Sequence, residues 1–379
     1  MNRIKTHELV TFIQREFPLL VNAMKQADHH YDSENLNPYH LEGDVWTHTM
    51  MVLQEAERLI QAGLFRNRED ELRIASILHD LGKPMAREEV EETKRVRFIG
   101  HEGASFHLAI EVLDSIFDKF YGREHYTLLM KRNILEAISF HDVIWKGLNT
   151  DKFEKTFNKR FQFNKRLAEL VLGVSLADGA GRFYSESKRQ PDTDAVYENV
   201  MGLVSTLDIN EPVTLTKQRK LEEKPNGVIL MVGLPGSGKS TFVERYVPSN
   251  WVVISRDNLV EEYAQNHGIT YDEAWKAEDF DAVVDKQIRS AISEKRSVVI
   301  DKTHMGPKSR RRSLAPFPKS YAKTAVVITE NFDTIVERSI ARVDKTITDR
   351  VLRDMTLRFR PPTYDDFDYI EYPGLVKGR

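Results

Sequence analysis

Apolar residues recur at helical spacing through the first half of the chain. Between Thr47 and Leu64 they fall at Met51, Leu53, Ala56, Leu59 and Ile60, which predicts a helix with one buried stripe. Glu71 to Leu81 predicts a second helix, stopped by Gly82 and Pro84. Ala104 to Phe120 predicts a third, with Phe106, Ile110, Leu113 and Phe117 on one face, and Leu128–His141 and Asn164–Asp178 predict two more. Glu89 to Phe98 reads as a short hairpin or a charged loop. With no series of alternating strands, this half is expected to be all-α.

The pattern changes after Leu207. Residues 208–226 contain Pro212, Pro225 and the charged run Lys217 to Lys224, the composition of a linker. Beyond it, apolar runs predict strands at 228–233, 251–255, 297–301 and 323–330, with helices at 239–246, 271–294, 333–342 and 348–358. Alternating strands and helices predict a parallel sheet covered on both faces. The expected organisation is a helical domain over 1–207, a linker over 208–226 and an α/β domain over 227–379. The acidic, aromatic stretch from Pro361 to Ile370 is expected to pack back on the sheet.

The run from Gly233 to Thr241 fits G-x-x-x-x-G-K-[ST] and sits between a predicted strand and a predicted helix. Gly233, Gly236, Ser237 and Gly238 let backbone N–H groups approach phosphate oxygens, and the helix N-terminus favours their charge. Lys239 is expected to reach the β- and γ-phosphates, Ser240 to hold Mg²⁺, and Thr241 to belong to the same cradle. Two further strand ends carry chemistry. Arg256-Asp257 offers a carboxylate that can take the proton of an attacking hydroxyl, although an aspartate there also caps helices. Asp301-Lys302-Thr303 offers a carboxylate for Mg²⁺ or for orienting other site groups. The basic segment Arg338, Arg342, Lys345, Arg350 and Arg353 reads either as a lid that neutralises phosphate charge or as a solvated face.

The N-terminal half has its own constellation. His48, His79-Asp80, His101, His141 and Asp178 supply imidazole and carboxylate ligands, which suit Mn²⁺, Co²⁺, Ni²⁺ or Zn²⁺. Adjacent His79 and Asp80 lie about 100° apart on a helix and can bracket a cleft at its end. The order H…HD…H…H…D resembles that of the HD metal-dependent phosphohydrolase superfamily, and this resemblance implies that His48 and Asp178 complete one site with them and that His101 and His141 bind a second metal or contact phosphate. Lys83 can neutralise phosphate charge. His107 and His125 are expected in packing and at the surface, and His29, His30 and His40 carry no usable signal.

Composition narrows the partners. A chain of 379 residues that is 41% hydrophobic can build two cores, and a net charge of −3 excludes global basic character, so any nucleic-acid contact must come from local patches. The absence of cysteine excludes disulfides, thiolate metal sites and cysteine nucleophiles and fits a cytoplasmic protein. Neither a signal peptide nor a bilayer-long apolar run is expected.

His79 to Pro84, followed by Phe98 to Ala104, looks like the HD domains attached to bacterial tRNA CCA-adding enzymes. Those act on 2′,3′-cyclic, 2′- and 3′-phosphates. Over roughly 227–360 the chain resembles the phage and bacterial 5′-OH polynucleotide kinases, through Gly233–Thr241, Arg256-Asp257, Asp301-Lys302-Thr303 with Pro307 and Arg310-Arg311, and Val351 to Met355. The resemblance implies Asp257 as general base, with Lys239, Ser240 and Arg353 at the donor phosphates. That family usually has an arginine three residues after the base, where this chain has Val260; Arg256 and the run Lys308 to Arg312 are the candidates to replace it. The pairing of both domains resembles the bacterial HD-Pnk family of end-healing enzymes. It implies ATP or another NTP with Mg²⁺, RNA or DNA ends read without sequence preference, and a ligase that uses the products. Two rivals stand beside it. One is a nucleotidase- or dNTPase-like HD domain fused to a nucleoside kinase; the other is an ATP-regulated binding or signalling protein with the HD unit as sensor.

Overall fold

A computed structural model describes residues 3–122, 128–207, 226–341 and 347–373. Most of the expected linker, with Lys217 to Lys224, and also His125, Arg342 and Lys345, lie outside the described residues. The chain divides into two compact units, residues 1–211 and 212–379.

The first unit is helical. Its elements are α1 (Thr6–Glu16), α2 (Pro18–Gln26), α3 (Val45–Gln61), α4 (Glu69–Leu78), α5 (Lys83–Ala86), β1 (Glu88–Val90), β2 (Arg95–Arg97), α6 (His101–Phe120), α7 (Leu128–Phe140), α8 (Val143–Gly147), α9 (Phe153–Phe161), α10 (Lys165–Ala180) and α11 (Thr193–Thr206). Helix α10 packs against α3, α4, α7 and α11, and every residue from Leu170 to Gly179 is buried. A helix that is apolar on nearly all sides needs such an enclosed position. Asp44 caps α3 by accepting from Thr47 N at 2.9 Å, and Asn164 caps α10 by accepting from Leu167 N at 3.1 Å. Residues 88–97 form an antiparallel hairpin.

The second expected helix ends earlier than its apolar period indicates. Helix α4 stops at Leu78, and Leu78 to Lys83 turns instead. Gly82 explains the stop. Its N–H donates to Ser105 Oγ at 2.8 Å, and it lies so close to α6 that an added Cβ would come within 2.6 Å of Ala104 Cβ and closer still to His101 O and Ser105 N. Only glycine allows that approach.

The second unit is α/β. Five parallel strands lie in the order β4 (Val252–Ser255), β5 (Val298–Asp301), β3 (Asn226–Val232), β6 (Tyr321–Val327), β7 (Tyr369–Glu371). Around them run α12 (Lys239–Tyr246), α13 (Arg256–His267), α14 (Tyr271–Ala277), α15 (Phe280–Ser293), α16 (Pro307–Leu314), α17 (Phe332–Ile340) and α18 (Asp349–Arg358). The single helix expected over 271–294 is two: Glu278 is extended, and Asp279 caps α15 by accepting from Asp281 N and Ala282 N. Strand β7 brings the tail back beside β6, as expected, and Asp368 accepts from Lys323 N at 2.9 Å. Among the described residues no helix is long and apolar enough to cross a membrane.

Candidate active sites

The six candidate ligands of the first unit converge. His48 comes from α3, His79 and Asp80 from the turn after α4, His101 from the start of α6, His141 from the end of α7 and Asp178 from α10. His48 Nε2 lies 3.1 Å from Asp178 Oδ1, and His79 Nε2 lies 3.0 Å from Asp80 Oδ2. Asp80 Oδ1 faces the other way, 3.3 Å from His101 Nε2, which is 3.4 Å from His141 Nε2. The result is two ligand groups, His48–His79–Asp80 and Asp80–His101–His141, sharing Asp80 between them.

Backbone geometry fixes which nitrogen each imidazole presents. The Nδ1–H groups of His79, His101 and His141 donate to Ser76 O, Phe98 O and Ile138 O at 2.7, 2.8 and 2.7 Å, each carbonyl three residues earlier. His48 Nδ1–H donates to Glu42 Oε1 at 3.0 Å and to Gly181 O at 3.1 Å. All four rings therefore turn an Nε2 lone pair inward in their neutral form, the state a metal requires. His79 Nε2 and both Asp80 oxygens are buried without a hydrogen-bond partner of good geometry, although Lys83 Nζ is 2.6 Å from Asp80 Oδ2. Buried polar atoms in that state call for a ligand, and the donor set fits divalent cations of the borderline kind.

The charges agree. Burial would raise Asp80 and Asp178, but His79 and Lys83 around the first, and Arg182 and His48 around the second, hold both well below the ordinary carboxylate range. Burial would lower His101, but Glu102 and Asp80 raise it, so positive charge is stabilised there. Burial lowers His141 to about 4 and His107, packed beside Phe106, to about 3.

A supporting layer had no signal in the sequence. Glu42 accepts from His40 Nδ1–H at 2.8 Å as well as from His48. His29 donates from Nδ1 to Gly43 O at 2.7 Å, which leaves Nε2 to accept from Lys83 Nζ at 3.0 Å. His29 and His40 stack with ring centroids 4.2 Å apart. Arg182 pairs with Asp178.

In the second unit the carboxyl ends of β3, β4 and β5 open onto a cavity of about 1080 Å³. The loop after β3 lines it from Pro235 to Thr241. Gly236 and Gly238 have φ of 76° and 95°, a region costly for other residues, and Gly238 is the N-cap of α12. Gly233 lies behind the lining, its N–H donating to Thr303 O at 3.0 Å. Lys239 Nζ donates to Leu234 O at 2.8 Å, and Ser240 Oγ donates to Asp301 Oδ2 at 2.8 Å, which puts the two expected Mg²⁺ contacts side by side.

Arg256 and Asp257 line the same cavity. Tyr271 O–H donates to Asp257 Oδ1 at 3.0 Å; burial and the Asp257 charge raise the Tyr271 phenol, so it stays a donor. The Arg256 guanidinium lies 3.8 Å from the Trp275 ring centroid and 3.4 Å from Asp281. Tyr271 and Trp275 were not legible as site residues. Val260 is fully buried among Ala264, Ala274 and Phe280, so no cavity contact arises from that position.

Not all of the expected cations reach the cavity. Val351 and Met355 of α18 line it, while Arg350 and Arg353 are exposed outside the lining. The helix turns them away, because residues one or two positions from the 351/355 stripe face elsewhere. Arg338 lines the cavity instead, donating to Gly236 O at 3.0 Å. Arg311 also stands outside it, paired with Asp366 at 3.0 Å, and Arg310 is buried on the carbonyls of His304, Met305 and Pro361.

Comparison with known proteins matches this division. Residues 45–180 match the HD domain family. Residues 228–362 match an AAA domain family. The chain therefore joins a helical HD domain to a P-loop kinase-like domain built on a five-stranded parallel sheet. A multifunctional CCA protein of Mannheimia succiniciproducens is 31% identical over 168 residues, 43% of this chain and 36% of that protein. This chain thus spans about a third of that relative's length. A chain of the Pnkp1/Rnl/Hen1 RNA repair complex is similar over 35% of this chain and 43% of its own, at 19% identity and a TM-score of 0.29.

Proposed function

We propose that the protein is a bifunctional nucleic-acid end-healing enzyme. Residues 1–207 hydrolyse 2′,3′-cyclic, 2′- or 3′-phosphate ends, and residues 227–379 transfer the γ-phosphate of ATP or another NTP to a 5′-OH end, with residues 208–226 joining them. The observation that carries the reading is that Asp257 shares one cavity with the phosphate loop and the Ser240–Asp301 pair, in a chain that also holds a carboxylate-bridged histidine set. Similarity of part of the chain to a multifunctional CCA protein supports the first activity.

In the kinase unit, Asp257 accepts the proton of the 5′-OH while its oxygen attacks the γ-phosphorus and the bond to the β-phosphate oxygen breaks. Tyr271 orients the Asp257 carboxylate. Lys239 exchanges Leu234 O for the phosphates, and Arg338 adds charge from the other wall. Arg256, stacked on Trp275, replaces the arginine absent at Val260 as an acceptor contact. In the HD unit, His48, His79, Asp80, His101, His141 and Asp178 hold the metals, and Lys83 neutralises the phosphate under attack. When bound, a divalent transition metal there supplies an acidic water as nucleophile, and Mg²⁺ at Ser240 and Asp301 neutralises the donor phosphates. The products, 3′-OH and 5′-phosphate, are the ends a cytoplasmic ligase joins.

The test is transfer of labelled γ-phosphate from ATP to a 5′-OH oligonucleotide, with Asp257→Ala alongside. Loss in the variant is expected. Transfer to free nucleosides and not to oligonucleotides would move the assignment to a nucleoside kinase. For the HD unit, His79→Ala and Asp80→Ala should each abolish hydrolysis of a 2′,3′-cyclic phosphate end; retained hydrolysis overturns the ligand set.

A further inference from the structure

A second cavity, of about 800 Å³, opens beside the hairpin of the first unit, and nothing in the catalytic scheme uses it. Its wall carries Lys94, Arg95, Arg97 and Lys188, two tyrosines, Tyr31 and Tyr39, and no carboxylate. Each ring carries a lysine over one face: Lys94 lies 4.9 Å from the Tyr31 centroid and Lys188 lies 5.0 Å from that of Tyr39. Glu91 neutralises Lys94 and also takes the Tyr31 hydroxyl. Arg95, Arg97 and Lys188 have no carboxylate partner among the described residues. Arg95 and Arg97, two apart on β2, stand exposed on one face of the strand.

The cavity adjoins the metal-ligand cluster through one layer of side chains. His29 lines it and accepts from Lys83 Nζ at 3.0 Å. Phe98, the residue after Arg97, packs 5.3 Å from His29 and 5.5 Å from Lys83 Nζ. Arg95, Arg97 and Lys188, which make no ion pair among the described residues although Glu88 sits opposite Arg97 across the hairpin, stand with the exposed ring of Tyr39 and the half-buried ring of Tyr31 as a local polyanion site with stacking surfaces on a chain of net charge −3.

We propose that this groove binds the single strand leading to the phosphate end, its backbone on Arg95, Arg97 and Lys188 and its bases on Tyr31 and Tyr39. The HD unit is thereby specific for polynucleotide ends over mononucleotides. The inference rests on the phosphoesterase reading above and names its substrate class.

The test uses the full chain, metal-loaded, with an oligonucleotide ending in 2′,3′-cyclic phosphate and already 5′-phosphorylated, and a nucleoside 2′,3′-cyclic monophosphate beside it. The triple variant Arg95→Ala, Arg97→Ala, Lys188→Ala changes two exposed side chains and the half-buried Lys188, none of them in the catalytic scheme. It should raise KM for the oligonucleotide about tenfold, lower the slope of log binding against log salt by about 2, and leave the mononucleotide rate within about twofold. Arg95→Lys with Arg97→Lys should retain most oligonucleotide binding. An unchanged oligonucleotide KM, or an equal loss on both substrates, overturns the groove. If the wild type hydrolyses neither substrate, the phosphoesterase reading fails. Fluorescence anisotropy with the same oligonucleotide still decides the groove: equal affinity of wild type and triple variant refutes it, and weaker, less salt-dependent binding by the variant supports it.

Discussion

Glu42→Gln probes how the metal-ligand set is held. The Glu42 side chain is fully buried, accepts from His40 and His48 through Oε1, and accepts from Phe183 N through Oε2 at 3.0 Å. Burial would raise this carboxyl, but the two histidines hold it well below the ordinary range, so it is ionised at neutral pH. Glutamine keeps the volume and loses one acceptor. With its oxygen on the histidines, its NH₂ meets the Phe183 N–H; reversed, it meets two imidazole N–H groups. Each orientation leaves a buried donor unsatisfied, which costs about 1–3 kcal/mol. It also weakens the carboxylate that keeps the His48 proton on Nδ1 and its lone pair on Nε2. A partner of this kind is worth roughly 10- to 100-fold in metal affinity, or about 1.4–2.7 kcal/mol, in line with the hydrogen-bond loss. The assay is competitive titration of the metal-free protein with Mn²⁺ or Zn²⁺, with kinase activity of the same chain as a check on folding. Affinity within twofold of wild type, together with a lowered melting temperature, would refute the positioning role and leave Glu42 a packing residue.

Three further outcomes follow from particular contacts. Gly82→Ala forces a Cβ into the backbone of α6, so the first unit should lose about 2–4 kcal/mol; an unchanged urea midpoint would contradict the approach. His304 is buried, and burial lowers it to about 3. Its unfolded value is higher, about 6.5, so the unfolded chain binds the proton first, and stability is full above about pH 6.5 and falls as pH drops toward 3. This group should cost the second unit about 2 kcal/mol between pH 7 and 5; His304→Asn, which tolerates the local φ of 44°, should flatten that slope, and chemical denaturation at both pH values checks it. Phenanthroline with excess Mg²⁺ should remove phosphoester hydrolysis and spare phosphoryl transfer, because the first site offers imidazole nitrogen and the second only oxygen; loss of both activities would tie the kinase to the same metal.

The sequence was most legible where one residue stripe faces one environment. Helices α3, α6 and α7 bury long apolar faces, α10 is apolar on nearly all sides, and strands β3 and β6 are apolar runs, so their patterns announce them. Helix α13 buries only Val260 and Ala264 and shows no such stripe. The break between α14 and α15 was missed because both helices continue one polar-apolar rhythm, and the interruption lies in a cap at Asp279 rather than in a glycine or proline. Helix α4 ends early for a tertiary reason, the contact of Gly82 with α6, which no local pattern contains.

The sites divide along a similar line. Ligands and phosphate-binding groups are constrained by their own chemistry, so His79-Asp80 and Gly233–Thr241 stand out as short motifs, while the pairing of His48 with Asp178 across 130 residues was implied only by the resemblance in order, H…HD…H…H…D. The groups that hold those groups obey weaker rules. Any carboxylate or imidazole at the right place could orient His48 or Lys83, and Glu42 and His29 do so from positions whose neighbours carry no pattern. Tyr271 reaches Asp257 only because α13 and α14 fold against each other, and Arg350 and Arg353 miss the cavity by a rotation of one helix that composition does not encode. Chemistry therefore marks the atoms that touch substrate or metal, and packing alone selects the atoms that aim them.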